Sequence, residues 1–189
     1  DGALRPGTRT DQSLIARKVR EIALRTYASP GFIEMFGLPE HPRDLEERFF
    51  SIAYLNAQAG KVFPLEFRRG EESMEITPRY AVSVNDSRSY VAAAISGMGI
   101  AQAPQFMARD AVAKGDLVEV LTEWEREPLP LYIVYPRTRH LGNKVRVFVD
   151  WLVKLLKDSS ARDAECPRKT MAIKEKQKEQ PRPIAVAAE

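Results

Sequence analysis

The order of parts in residues 80–104, YAVSVNDSRSYVAAAISGMGIAQAP, constrains the fold more than any other stretch of the chain. Gly97 and Gly99 invite a phosphate-cradling loop. Glycines of that kind stand between a strand and the helix that follows it, where they free the N–H groups of the helix N-terminus. Here residues 80–84 alternate as a strand. Asn85, Asp86 and Ser87 are cap-type residues, and a helix continues over 90–96. The glycines come afterwards. Gly97 falls just past the helix end, where left-handed geometry suits glycine, and Gly99 tightens the entry into a strand over 100–103. The dinucleotide reading is rejected, and the group pointing outward from the strand's carboxyl end is the Asn-Asp-Ser helix start.

A chain of 189 residues with 44% hydrophobic content can bury one core or two small lobes. Its net charge of +3 is weak and its basic residues are scattered, which argues against nucleic-acid binding by this segment alone. The single cysteine, Cys166, excludes an internal disulfide and any multi-cysteine metal site, and suits a reducing cytoplasm. No apolar run approaches membrane-spanning length and no signal peptide is visible, so no membrane partner is expected. No cofactor is expected either.

The remaining pattern reads as strands alternating with helices. Strands are expected at 1–5 and 22–28, the second ended by Ser29-Pro30, and the proline opens a helix, PGFIEMFG. The opening segment thus supplies strand, helix and strand. A short helix starts at 41–45. Strands follow at 49–53 and 62–67, a hairpin turn at 68–72 and a return strand at 74–77. A helix over 104–114 ends at Gly115, and 117–121 adds a strand. LYIVY, 131–135, is apolar throughout, as expected of a strand covered on both faces. Asn143 caps a last helix through 157 whose apolar residues recur at helical spacing. This alternation predicts an α/β fold with mixed, largely parallel sheets. Residues 158–189 have no aromatic and many charges, and are expected to form a disordered tail.

In this order the residues resemble a known family. DGALRPG, SLIARKV, YASPGFIEMFG, HPRDLEE, FPLEFRRGEE, SVNDSRSYVAAAISGMGIAQAP, GDLVEVL, LPLYIVYP and RHLGNKVRVFVDWL match, in sequence, the effector-binding domain of LysR-type transcriptional regulators. Any one piece is weak; the ordered set is specific. The resemblance implies a periplasmic-binding-protein-like sensor whose two α/β lobes close on a small-molecule effector. In this family a winged helix-turn-helix precedes the sensor and binds promoter DNA, and a strand–helix repeat opens the first lobe. Neither is expected within these 189 residues. The first lobe would hold 1–28 and 130–157, the second 29–129, with chain crossings near 27–29 and 129–131. The full-length family forms homodimers or tetramers in the cytoplasm. Gly2 departs from the β-branched residue usual in its strand, and Phe63 stands where an aromatic is common.

Ligands in open α/β sheets bind beyond the carboxyl ends of strands, and a helix N-terminus there favours an anion. That makes Ser83, Asn85 and Asp86 candidate ligand contacts and a small organic acid the natural ligand. Family position raises Ser83 and Asn85 above the rest. The bland reading is helix capping alone, and Asp86 would repel an anion unless it caps its own helix. Ser29 reads first as a cap before Pro30, with a cleft contact implied by family position. Arg5 could fork onto a carboxylate if it faces the cleft. Pro104 could wall the pocket, or simply initiate a helix.

No catalytic set emerges. His41 and His140 lack nearby cysteine or histidine partners for a metal. No G-x-S-x-G nucleophile elbow occurs, and Glu71-Glu72 reads as solvated turn charge. Phe148, Trp151, Leu152 and Leu155 read as core, with Trp151 and Trp124 able to add to contacts between protomers. The alternative to a sensor is a transport-associated solute-binding protein of related architecture.

Overall fold

The computed structural model describes residues 3–7, 14–56, 60–136 and 147–156. Gly2, His140, Asn143, Cys166 and the tail expected over 158–189 lie outside the described residues. In chain order the elements are β1 (Ala3–Pro6), β2 (Leu14–Ile22), β3 (Leu24–Ala28), α1 (Pro30–Phe36), α2 (Asp44–Glu47), β4 (Ser51–Asn56), β5 (Lys61–Val62), β6 (Leu65–Arg69), β7 (Glu72–Ile76), β8 (Tyr80–Val84), α3 (Ser87–Ile95), β9 (Ala101–Pro104), α4 (Gln105–Lys114), β10 (Val118–Glu119) and β11 (Leu129–Pro136). A last helix, α5, spans 147–156.

Strand β11 lies between β1 and β2 and runs antiparallel to both. The helix expected inside the opening segment is absent among the described residues, because LIARKVREI forms β2. Val19 and Ile22 turn inward while Arg17, Lys18 and Glu21 stay exposed, and β11 satisfies the backbone. β11 was expected to be covered on both faces. Only Ile133 of 131–135 is fully buried, since α5 covers one face, with Val149 and Val153 packed on Val19 and Ile133.

The second sheet is built around β4 and β9. β8 pairs parallel with β4. A parallel bridge joins Ser51 to Ile100, reinforced by Ile52 N–H to Ile100 O at 2.9 Å and Ile100 N–H to Phe50 O at 3.0 Å. β9 pairs antiparallel with β3, and β3 antiparallel with β10. The main order is therefore β8-β4-β9-β3-β10, in which every strand but β3 runs the same way, and the short β5 pairs antiparallel with the end of β4. The parallel character expected for the whole fold is confined to this sheet. Alternation of strands and helices along the chain cannot show that β11 returns from far away between two early strands.

The chain passes from one sheet to the other at Ala23, between β2 and β3. Residues 22–28 read as one strand because no glycine or proline marks the change of pairing partner. The stretch 62–67 likewise divides into β5 and β6, on either side of Pro64.

Two cores sandwich the second sheet. On one face the β6–β7 hairpin and α1 enclose Phe32, Leu45, Phe49, Phe67, Ile100 and Trp124. On the other, α3 and α4 pack Tyr90, Ala94, Ala108 and Val112 over Tyr27, Ile52 and Ala101. The small residues of VAAAI let α3 lie close to the sheet. Gly99 matters for the same reason. A Cβ there would sit 2.8 Å from Phe50 O, and its φ of +155° is open only to glycine.

Candidate functional site

The registers define two ends of the second sheet. Tyr80, Ser51, Ile100, Ala28 and Val118 lie at one end; Val84, Tyr54, Ala103, Pro104 and Leu24 lie at the other. The second end carries the carboxyl termini of β8, β4 and β9, and Gln105 N–H donates to Ala23 O there, beside the passage between sheets.

At this end Asp86 is the N-cap of α3. Its Oδ1 accepts from Arg88 N–H at 3.0 Å and Ser89 N–H at 2.9 Å. Hydrogen bonds from the Ser89 hydroxyl and the Ser89 and Arg88 amides hold its carboxyl below the ordinary aspartate range. Asp86 therefore answers its own helix and stays anionic at neutral pH. Asn85 and Ser83 are exposed, Ser83 on β8 at the sheet margin. Ser87, the first residue of α3, lies 3.4 Å from Tyr54 Oη. Tyr54 in turn meets the Tyr90 ring edge-on at 5.4 Å. Tyr90 is buried, its hydroxyl accepts from Gln102 N–H at 3.1 Å, and burial pushes its pKa up to about 12.

Beside this row, Gln102 Nε2 donates to Glu66 O at 2.8 Å, and Arg126 Nη2 donates to Glu66 Oε1 at 3.0 Å. Gln102 Oε1 and Arg126 Nε are buried without a protein partner, one acceptor and one donor left over.

Ser83, Asn85, Asp86 and Pro104 are thus brought to one end of one sheet. Arg5 is exposed on β1 of the other sheet, opposite Tyr132, near the level at which Gly7 N–H donates to Pro130 O. Ser29 is not with them. It follows Ala28 at the far end of the antiparallel strand β3, is buried, and accepts from Phe32 N–H at 3.2 Å as the N-cap of α1. A cavity of about 510 Å³ opens at that far end, lined by Ser29, Met35, Ile95, Gly97 and Asp116.

Tyr54, Tyr90, Gln102, Glu66 and Arg126, which gather near this helix start, were not singled out from the sequence. Only the spatial strand order joins them, and no local spacing signals it. Trp124, in contrast, is buried beneath Arg69, whose guanidinium lies 4.3 Å from the ring centroid, and against His41 at 5.0 Å. Phe148, Trp151 and Leu155, expected in the core, are exposed, and Phe63 is half exposed. Among the described residues no three His, Cys, Asp or Glu side chains gather to hold a metal. No helix there is long and apolar enough to cross a membrane.

Comparison with known proteins gives one family. The model described as the LysR substrate binding domain matches residues 1–157. YhjC, an uncharacterised helix-turn-helix-type transcriptional regulator of Escherichia coli K12, is 32% identical over 160 residues, covering 84% of this chain and 52% of that protein. The regulatory domain of AphB from Vibrio vulnificus superposes with a TM-score of 0.68 at 28% identity, covering 82% of this chain and 75% of that domain. A full-length AphB variant superposes with a TM-score of 0.71 at 27% identity, covering 81% and 51% respectively. The chain spans about half the length of the full-length relatives it matches.

Proposed function

The chain belongs to the LysR substrate-binding domain family, and on that premise we propose that it is the effector-sensing part of a bacterial transcriptional regulator. A small polar molecule, most simply an organic acid, binds at the passage between the two sheets and biases their arrangement. The observation that carries this reading is the polar row at the carboxyl ends of β8, β4 and β9, where open α/β sheets take ligands.

In this reading the two sheets belong to two lobes, 1–28 with 130–157 and 29–129, and β3 from the first assignment is hydrogen-bonded into the second. Ser83 and Asn85 contact the ligand, Pro104 walls it, and Arg5 approaches from the first lobe to fork onto a carboxylate. Asp86 shapes selectivity by charge, favouring a ligand that presents a hydroxyl or amine on its side. Ser29 is a structural cap. Promoter DNA is contacted by a helix-turn-helix outside residues 1–157, and the regulator works as a cytoplasmic homo-oligomer. It senses and does not catalyse, in keeping with the regulator names of its relatives. Those names give no support to the solute-transport alternative.

Calorimetric titration of a panel of organic acids into the full-length regulator tests the proposal. Binding by one chemical class, weakened about tenfold by Asn85→Ala through loss of one to two hydrogen bonds, is expected. Uniformly flat titrations would overturn it.

A further inference from the structure

Strands β4 and β9 are hydrogen-bonded at one end only. Their parallel ladder consists of Ile100 N–H to Phe50 O and Ile52 N–H to Ile100 O. Continued by one step, it would bring Gln102 N–H to Ile52 O. Gln102 N–H donates instead to the Tyr90 hydroxyl at 3.1 Å. Beyond this point β4 takes another partner. β5 pairs with Leu55 and Asn56, and Phe63 N–H donates to Tyr54 O at 2.9 Å. A seam therefore runs between β9 and the chain that leads from β5 into β6. It opens toward the carboxyl ends of β4 and β9, the end at which Tyr54 and Ser87 stand.

Gln102 and Arg126 meet at Glu66 on β6. Gln102 Nε2 donates to Glu66 O at 2.8 Å, and Arg126 Nη2 donates to Glu66 Oε1 at 3.0 Å. Gln102 is only 6% exposed and the Arg126 side chain 13%. A carbonyl only accepts, so the amide must turn its NH2 group to Glu66 O and its oxygen elsewhere. Nε and Nη2 share one edge of the guanidinium, and only Nη2 is used. Gln102 Oε1 and Arg126 Nε are thus a buried acceptor and a buried donor, without protein partners, held beside one residue. Burial raises the Tyr90 pKa and the Arg126 charge works against that rise, which sets the guanidinium near the hydroxyl that plugs the seam.

Buried polar groups are ordinarily answered, and the chemistry of the answer is narrow. A carboxylate would satisfy Arg126 Nε and repel Gln102 Oε1; an ammonium would do the opposite. A hydroxyl donates and accepts through one atom. We propose that Gln102 and Arg126 form a hydroxyl-reading subsite of the effector site, so that the effector is a hydroxy acid. Its hydroxyl enters the seam between Gln102 Oε1 and Arg126 Nε, and its carboxylate stays at the start of α3. The inference rests on the effector reading above and adds the group that selects among acids. An acid without the hydroxyl leaves both protein groups unanswered, so the subsite discriminates by rejecting it.

Calorimetric titration of the full-length regulator with matched acids tests this: propanoate against lactate, glutarate against its hydroxy derivative, and phenylacetate against mandelate. Within a pair that binds, the hydroxy acid is expected to bind about tenfold tighter or more. Gln102→Met keeps the side-chain length and removes both polar atoms. It should bring that ratio to within about twofold by weakening the hydroxy acid alone. Arg126→Lys keeps a cation for Glu66 but has no Nε–H, and should narrow the ratio even if Gln102→Met fails to fold. Acids that bind, and weaken in Asn85→Ala, without any preference for the hydroxyl would overturn this inference and leave the effector reading standing. A preference that survives in both variants would do the same. Flat titrations throughout would overturn the effector reading and this inference with it.

Discussion

The two ends of the sheet β8-β4-β9-β3-β10 carry residues of the same kind and use them differently. Asn85, Asp86 and Ser87 start α3 at one end, and Ser29 starts α1 at the other. At the first end the cap is exposed, and Ser87 beside it lies 3.4 Å from the Tyr54 hydroxyl. At the far end Ser29 is buried, and a Cβ on Gly97 would stand 3.3 Å from its hydroxyl. Capping chemistry is shared by both; freedom to serve a ligand is not. Substitutions at the buried far-end cap should therefore cost stability and spare binding, and substitutions at the exposed near-end cap should do the reverse.

Gly99→Ala should produce the largest effect. Its new Cβ would meet Phe50 O at 2.8 Å and Ser51 C at 3.0 Å, both backbone atoms that cannot swing aside. Strained φ and overpacking together should cost about 3 kcal/mol or more, read as a lowered urea midpoint. Gly97→Ala, at φ +74° with only the Ser29 hydroxyl nearby, should cost roughly 1–2 kcal/mol. Equal losses at the two glycines would show that the close approach to Phe50 is not what the far end is built on.

Tyr90→Phe comes next. It leaves Gln102 N–H buried without an acceptor, which should cost about 1–3 kcal/mol. The pH dependence has a definite sign. Tyr90 has a folded pKa of about 12 against an ordinary 10, so its neutral form is the one the fold favours. That contribution is complete below pH 10 and is lost as pH rises toward 12. The alkaline decline in thermal midpoint should therefore be shallower in Tyr90→Phe than in the parent.

How far the sequence carries this contrast can be judged residue by residue. The β8–α3–β9 unit was legible because each local signal agrees: alternation over 80–84, an acid at the cap, glycine after the helix. Asp86 rather than Asn85 accepts from the α3 amides, a choice between neighbours that composition does not make. The far-end position of Ser29 was not legible, because it depends on β3 being antiparallel to β9, a pairing between residues some eighty apart. Gln102 and Arg126 escaped for the same reason. Trp151 misled because helical apolar spacing reports an apolar surface without reporting what covers it.

Ser29→Ala should cost about 1 kcal/mol, the usual worth of an N-cap hydroxyl, here accepting from Phe32 N–H. Ligand affinity in calorimetry should stay within about twofold of the parent, since no bound group is expected within hydrogen-bonding reach of the far end. A larger loss of affinity would move Ser29 back among the ligand contacts.

Asp86→Asn should have the smallest effect on stability, because asparagine can cap a helix nearly as well. What changes is its pH dependence. The Asp86 carboxyl is held below its ordinary value by Ser89 and Arg88, so its stabilisation is present above the unfolded aspartate pKa and is lost as pH falls through the folded one. The parent and the amide variant should therefore converge in thermal midpoint at low pH. Binding should move the other way. Removing a fixed negative charge from the start of α3 should tighten an anionic ligand at neutral pH and leave a neutral one unchanged. A variant that loses affinity for anions would mean that Asp86 touches a donor on the ligand directly, and the near end would then be recognising that donor rather than a carboxylate.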